Sequence, residues 1–266
     1  MIMEQQFFSI SIFLFGLIVG SFLNVCIIRM AKEESIVMPG SHCLKCKKQI
    51  PWYDNIPLLS FILLRGKCRF CGEKFSFRYF FIELLTGLVF LGMYQYVGLR
   101  LILIPYLVMM SGFIVATFTD IDERIIPDEI SIGGMIVGLV LSLLIPELHK
   151  TDLHLLSLWR SVLGVLIGGG SIYLMGILGD FIFKKESMGG GDVKLMAMIG
   201  AFLGWKLAIL AFFIAPFFGA VFGIIEKIRT KQSLIPYGPF LVIGALIALF
   251  YSDPIINWIL TGYGLK

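Results

Sequence analysis

Long apolar runs separated by short polar segments are the main feature of the chain. Most of these runs approach the roughly 20 residues that an α-helix needs to cross a bilayer. The pattern predicts an all-α polytopic membrane protein with about eight transmembrane helices. The shortest run, Val193–Leu203, reaches the length of a crossing only if its helix begins at the glycines before it. The predicted spans are Phe7–Ile28, Tyr79–Val97, Leu101–Phe118, Ile130–Ile145, Trp159–Phe183, Val193–Leu203, Lys206–Ile225 and Phe240–Leu260.

Composition agrees with this pattern. Hydrophobic residues make up 58% of the 266 residues and charged residues only 15%, whereas soluble domains are nearer half apolar and a quarter charged. The formal net charge is +4. In a membrane protein an excess of base usually marks the cytoplasmic loops, so we expect membrane lipid and not nucleic acid as the partner of this basic chain.

The distribution of basic residues predicts the orientation in the membrane. The long hydrophilic stretch 29–78 holds 10 Lys and Arg against 4 Asp and Glu. If this stretch lies inside, eight spans place 17 of the 22 basic residues on the inner side. The positive-inside rule therefore favours both termini outside. The first run lacks the basic segment of a cleavable signal, so we expect it to be retained as a membrane span. The predicted organisation is a first span in 1–28, a cytoplasmic loop in 29–78 and a bundle in 79–266.

Four cysteines in the cytoplasmic loop have the spacing of a metal site. Each of the two pairs is Cys-x2-Cys, which offers two sulfurs to one tetrahedral zinc ion. Disulfides are the alternative, but cytoplasmic thiols stay reduced. Four thiolates leave no open position for chemistry, so we expect a small loop domain with structural zinc. The predicted ligands are Cys43, Cys46, Cys68 and Cys71.

Two acidic clusters are predicted to lie on the same side of the membrane. Asp120, Asp122 and Asp128 follow the third span, and Asp192 follows the glycines Gly189–Gly191. Because two long apolar runs separate the clusters, the chain returns to the inner face between them. Two neighbouring carboxylates share a proton and can act as an acid and a base. The simpler alternatives are that Asp192 caps its helix and that the other acids are exposed at the membrane surface.

Other polar residues in apolar surroundings have simpler interpretations. Asn24 in the first span is expected to hydrogen-bond to a neighbouring helix, although it can also touch a ligand. Cys26, away from the other cysteines, is expected to be a packing residue. His149 and His154 lie in an outer loop, and we expect them to be solvated and not to bind metal.

In their order and spacing, these motifs resemble the bacterial type IV prepilin peptidases, membrane aspartic peptidases with a Gly-x-Gly-Asp signature. The resemblance covers nearly the whole chain. It rests on Gly20-Ser-Phe-Leu-Asn-Val, the two cysteine pairs, Asp54-Asn-Ile-Pro-Leu-Leu-Ser60, Leu64-Arg-Gly-Lys-Cys68, Arg78-Tyr, Glu83-Leu-Leu-Thr-Gly87, Asp120-x-Asp, Ile126-Pro-Asp128, Gly189-Gly-Gly-Asp-Val-Lys-Leu-Met196 and Ile235-Pro-Tyr-Gly-Pro-Phe240.

The resemblance implies a function and its residues. It implies cleavage of the basic leader of prepilins and pseudopilins at the cytoplasmic face of the bacterial inner membrane. It also implies methylation of the new N-terminal amine with S-adenosylmethionine, by the 29–78 loop. The catalytic aspartates fall on Asp120 and Asp192, and Gly66 matches a position associated with methylation. We expect support from Gly189, Gly191, Asp122, Asp128 and Lys194.

The chain departs from the family pattern at two positions of the loop. Leu44 stands where a proline usually follows the first cysteine, and Gly40 stands at a commonly basic position. These departures affect methyl transfer more than cleavage. Two other classes of protein remain possible on the residues alone. A transporter also places acids inside a helical bundle, and a docking scaffold also needs a zinc-binding loop.

Overall fold

The computed structural model describes residues 2–184, 188–230 and 235–261. Apart from two isolated β-bridges, the regular structure in these ranges is helical, and six of the described helices are long and apolar enough to cross a membrane. The predicted all-α membrane fold is therefore confirmed. The helices are α1 Ile2–Met30, α2 Leu59–Leu63, α3 Phe77–Val97, α4 Leu103–Glu123, α5 Asp128–Leu144, α6 His154–Phe183, α7 Gly190–Thr230 and α8 Gly238–Thr261, with short 3-10 helices at Trp52–Asn55 and Pro146–His149.

Helix α7 consists of two antiparallel helical segments. Its backbone is non-helical at Gly204, where φ is 74°. A Cβ on Gly168 of α6 would lie 2.6 Å from the Met196 carbonyl oxygen and 3.5 Å from the Ala208 Cβ. In a continuous helix those two residues would be about 18 Å apart along the axis. The chain therefore reverses at Gly204, and the predicted runs Val193–Leu203 and Lys206–Ile225 are separate segments.

The described chain forms two compact units, Met1–Val115 and Ala116–Lys266. In the first unit, α1 packs closely on α3. A Cβ on Gly20 would lie 2.8 Å from the Glu83 Cα, so only glycine permits this approach. The Asn24 Nδ2 donates to the Tyr79 carbonyl oxygen at 3.1 Å, which confirms the expected hydrogen bond between helices. Cys26 is 2% exposed in the same packing layer, in keeping with its expected packing role.

In the second unit, small residues let the helices approach one another closely. A Cβ on Gly138 of α5 would lie 2.9 Å from the Ala201 Cβ of α7, and one on Gly244 of α8 would lie 2.7 Å from the Ala211 carbonyl oxygen. The Ser161 hydroxyl of α6 donates to the Ala201 carbonyl at 2.6 Å. Such contacts dominate helix association in membranes, where water does not drive apolar surfaces together. They fix where the helix ends of this unit meet.

The expectation that both histidines of the outer loop are solvated is wrong for His149. His154 is exposed, but the His149 side chain is 7% exposed and packs near Gly204. The Arg160 guanidinium donates to the His149 carbonyl at 2.6 Å. Burial lowers the pKa of His149 to about 4, so this ring is neutral at physiological pH. The error has a physical cause, because the turn at Gly204 leaves room for a side chain that the sequence pattern places in a loop.

The closest helix contact gives a test of this packing. A Cβ on Gly164 would collide with the carbonyl oxygen of Gly200, whereas a Cβ on Gly170 of the same helix would meet nothing within 4 Å. We expect Gly164→Ala to lower the free energy of unfolding by about 1–3 kcal/mol, the usual cost of overpacking. Gly170→Ala should be neutral or raise it by about 0.5–1 kcal/mol, because alanine favours a helix. Thermal unfolding in detergent measures both, and equal stability of the two variants would contradict the packing.

Candidate active site and metal centre

Burial distinguishes two aspartates that the sequence pattern could not separate. Asp120 lies in the last turn of α4 and is 6% exposed, whereas Asp122 is exposed. Residues two apart on a helix point about 200° away from each other, so only one of them can face the interior of this unit. Of the two, Asp120 is the one placed for chemistry inside the protein.

A backbone N–H from a distant part of the chain holds the Asp120 carboxylate. The Gly238 N–H donates to the Asp120 Oδ2 at 2.7 Å, in a buried contact between residues 118 apart in sequence. Gly238 is the first residue of α8, and the first N–H groups of a helix have no partner within it. The end of α4 and the start of α8 therefore meet at this carboxylate.

Asp192 has two roles at the start of α7. It is the third residue of that helix, and its carboxylate turns back to the N–H of Gly189. It therefore caps the helix, as the simpler interpretation expected. It also lies close enough to Asp120 for the two carboxylates to interact electrostatically. Capping of the helix therefore does not exclude an electrostatic interaction with Asp120.

The glycine motif before Asp192 and the start of α8 both pack against one side chain, Ile126, which sequence reasoning did not single out. Ile126 is 7% exposed. A Cβ on Gly191 would lie 3.2 Å from the Ile126 Cβ, and a Cβ on Gly238 would lie 3.2 Å from the Ile126 Cδ1. Ile126 thus fills the space between the glycine motif and the start of α8. The Ile126-Pro-Asp128 motif marked this position in the sequence, but the motif alone did not predict which residues Ile126 contacts.

An ion pair joins the start of α5 to the first turns of α7. The Lys194 Nζ lies 2.7 Å from the Asp128 Oδ1 and 2.9 Å from its Oδ2. Both side chains are about half exposed. Exposed pairs of this kind contribute little to stability. The pair therefore acts on the orientation of the two segments more than on the free energy of folding.

The four predicted cysteine ligands converge in the first unit. Their sulfur atoms all lie within 4.8 Å of one another. The Cys43 and Cys71 sulfurs are 3.8 Å apart, and the Cys46 and Cys68 sulfurs are 4.0 Å apart. A tetrahedral zinc ion with bonds of about 2.3 Å separates its sulfur ligands by about 3.8 Å. The geometry of these residues fits such an ion.

The two cysteine pairs have nearly identical backbone geometry. The Cys43 N–H donates to the Lys48 carbonyl at 3.0 Å, and the Cys68 N–H donates to the Glu73 carbonyl at 2.7 Å. The residue after the second cysteine of each pair, Lys47 or Gly72, has a positive φ. Each pair is therefore a tight turn that presents two sulfurs on the same side.

Charged residues hold the two turns together and join the second to the 3-10 helix. The Arg69 guanidinium, between the cysteines of the second pair, donates to both carboxylate oxygens of Asp54 at 2.5 and 2.6 Å. These hydrogen bonds hold the pKa of Asp54 below its usual value. The Lys45 Nζ lies 2.5 Å from the Glu73 carboxylate, which links the first turn to the second. The loop is thus ordered around its cysteines by contacts of its own.

Gly66 lies just before the second cysteine pair and has a structural reason to be glycine. Its φ is 64°, and a Cβ there would lie 2.8 Å from the Phe61 ring. Its N–H donates to the Phe61 carbonyl at 2.8 Å, which ends the short helix α2. Its part in methyl-donor binding stays a prediction.

The fold and these two sites define a class of protein, a polytopic helical membrane protein with a buried aspartate, a second, partly buried aspartate and a four-cysteine loop. Comparisons with known proteins identify the family. Residues 14–97 match the bacterial peptidase A24 N-terminal domain, and residues 107–224 match the type IV leader peptidase family. The chain belongs to the type IV leader peptidase family.

Individual relatives agree over most of the chain. A protein of Legionella pneumophila is 34% identical, with 92% of each chain covered, and one of Bacillus subtilis is 32% identical over 93% of this chain and 96% of its own. A third, from Myxococcus xanthus, is 38% identical over 85% of this chain, which spans 65% of that relative's length. All three are named prepilin leader peptidase/N-methyltransferase. No solved structure matches significantly.

The sulfur geometry predicts one tightly bound metal ion per chain. We expect elemental analysis of the purified protein to give about one zinc ion per chain, because four thiolates complete a tetrahedral shell. Cys46→Ser should lower this content sharply, whereas Cys26→Ser, at the cysteine outside the cluster, should leave it unchanged. Equal zinc content in the two variants would exclude the four-thiolate site.

Proposed function

We propose that this chain cleaves the basic leader from type IV prepilins and pseudopilins, with Asp120 and Asp192 as its acid/base pair. The observation that carries the proposal is the approach of these two carboxylates, from the end of α4 and the start of α7, beside the Gly238 N–H. The family supports the reaction, because the model that matches residues 107–224 describes leader peptidases. The roles of the two residues are our assignment.

The reaction needs one carboxylate as a base and one carboxylic acid. The base takes a proton from water while the water oxygen attacks the scissile carbonyl carbon, and the acid gives its proton to the carbonyl oxygen. When the tetrahedral intermediate collapses, the C–N bond breaks and the amine nitrogen takes the proton held by the base. The carbonyl oxygen returns its proton to the other aspartate, so the pair ends as it began.

The placement of the pair suits a substrate that enters from the inner face. A prepilin joins a positively charged leader to an apolar helix, so its scissile bond lies at the membrane boundary. Asp122, Asp128 and Glu123 are exposed near the inner helix ends and would attract such a leader. We place this end of the bundle, with the cysteine loop, at the cytoplasmic face of the inner membrane, and both termini outside.

We also propose that the chain methylates the amine released by cleavage, with the 29–78 loop as the methyltransferase module and S-adenosylmethionine as the methyl donor. The methyl carbon would move from the donor's sulfonium to the amine nitrogen, with loss of a proton from nitrogen. Support comes from the names of the relatives. Bound zinc would supply folding energy to the loop, held by Cys43, Cys46, Cys68 and Cys71, and would have no open position for the reaction.

The transporter alternative is disfavoured by where the acids lie. Transporter sites lie near the bilayer midplane, at interrupted helices. Here Asp120 stands in the last turn of α4 and Asp192 in the first turn of α7. A docking scaffold would need the cysteine loop but would give no reason for a carboxylate that is 6% exposed and held by a distant N–H.

The assignment of the aspartates predicts a sharp difference between neighbouring residues. Asp120→Asn and Asp192→Asn should each lower the rate of cleavage of a prepilin peptide by at least about 10³-fold, since loss of one member disables the pair. Asp122→Asn should stay within about ten-fold of the wild type, because its side chain is exposed. Mass spectrometry follows leader loss and added methyl mass separately.

The control for these variants is a peptide that already lacks its leader. It should be methylated as well by Asp192→Asn as by the wild type, and less well by Cys46→Ser. Near-normal cleavage by Asp120→Asn or Asp192→Asn would remove that residue from the mechanism. Equal losses at Asp122 and Asp120 would mean that the wrong residue of the cluster has been chosen.

The proposed orientation predicts which exposed positions face outside. Lys150 and Glu123 are both exposed in the second unit, at opposite predicted sides. In intact cells, a membrane-impermeant thiol reagent should label Lys150→Cys and should not label Glu123→Cys until the cells are opened. The reverse labelling pattern would invert the topology.

A further inference from the structure

The turn Tyr237–Gly238, at the start of α8, contacts the Asp120 carboxylate of the aspartate pair. The Gly238 N–H donates to the Asp120 Oδ2 at 2.7 Å. A Cβ on Gly238 would lie 2.8 Å from that same oxygen and 3.4 Å from the carboxylate carbon. The contact therefore needs both a backbone N–H and the absence of a side chain at this position. No other residue type fits without displacing the carboxylate.

The Tyr237 ring, beside Gly238 in the chain, has a fixed place. Burial, together with the Asp192 carboxylate, raises the pKa of Tyr237 to about 12, so the phenol is neutral. A Cβ on Gly219 of α7 would lie 3.3 Å from the Tyr237 Cε2, and the Phe240 ring centroid is 6.4 Å away.

The carbonyl side of the turn is fixed as well. The Tyr237 carbonyl accepts the N–H groups of Phe240 and Leu241 at 3.0 and 3.2 Å, so the turn is anchored by the first turn of α8. A rigid support of this kind matters because a displacement of about 1 Å can lower a rate by about 10²-fold. The turn thus combines a fixed backbone with an N–H donor that faces the Asp120 carboxylate.

We infer that the Tyr237–Gly238 turn is a positioning element of the active site, in which Gly238 fixes Asp120 and the packed Tyr237 ring holds Gly238 in place. The inference rests on the proposed roles of the two aspartates. Neither residue of the turn is required to touch the substrate. Their effect is on the geometry of the acid/base pair, so it should appear in kcat and not in KM.

The experiment compares four single variants of the full chain in detergent, with a prepilin peptide as substrate. Gly238→Ala should lower kcat by about 10²-fold with KM within about two-fold, because the new methyl group displaces the carboxylate. Gly170→Ala, at a glycine with open surroundings, is its control and should retain wild-type kcat. Tyr237→Ala should lower kcat by about ten-fold, because loss of the packed ring loosens the turn that carries the Gly238 N–H. Tyr251→Ala, at an exposed tyrosine of α8, should have no effect.

A fifth variant tests the loss of the hydrogen bond without the steric effect of an added methyl group. It can be measured even if Gly238→Ala does not fold. An ester in place of the amide at position 238 removes the N–H and adds no side-chain atom. It should lower kcat by about ten-fold or more with KM within about two-fold, since a hydrogen bond to a charged group is lost.

The possible results distinguish failure of this inference from failure of the proposed function. Wild-type kcat in both the ester protein and Tyr237→Ala, with Asp120→Asn inactive, would overturn the positioning role alone. The same holds if KM changes as much as kcat, because that would indicate a loss of substrate binding and not of the geometry of the pair. Full activity in Asp120→Asn would overturn the proposed function itself.

Discussion

Burial of a carboxylate at a helix end is the constraint on which the second unit depends. A charged group removed from water is costly unless hydrogen bonds or opposite charges stabilise it. Asp120 is 6% exposed, and the backbone N–H of Gly238 donates a hydrogen bond to its carboxylate. That partner is available only because α8 begins there, with an N–H that its own helix does not use. The end of one helix is therefore fixed by the start of another.

The small residues of the helices make this meeting of helix ends possible. Membrane helices associate through close packing and not through exclusion of water. In this unit, backbone approaches at Gly138, Gly164 and Gly244 are closer than any side chain would permit. They fix α5, α6 and α8 against the two segments of α7. The reversal at Gly204 then brings the chain back toward the end of the unit where Asp120 and Gly238 meet, so the site depends on packing along the full height of the unit.

The sequence allowed the fold class to be predicted well, because apolar runs of spanning length have few alternatives in a folded protein. The two segments around Gly204 and the convergence of the four cysteines followed from local pattern and spacing. The choice between Asp120 and Asp122 could not be predicted from the local sequence pattern, because burial depends on which face of α4 meets the rest of its unit. The Gly238 contact joins residues 118 apart, and the buried position of His149 depends on a turn formed by a later helix. Such contacts leave no periodic signal.

The proposed chemistry also fixes an order between the two reactions. The nitrogen that accepts a methyl group is part of an amide before cleavage, and its lone pair is delocalised into the carbonyl. It becomes a nucleophilic amine only after the aspartate pair has broken the peptide bond. Because the aspartates and the cysteines lie in different units of the chain, changes at one site can leave the other intact. The order of the reactions therefore comes from the substrate's own chemistry and does not require the two sites to communicate.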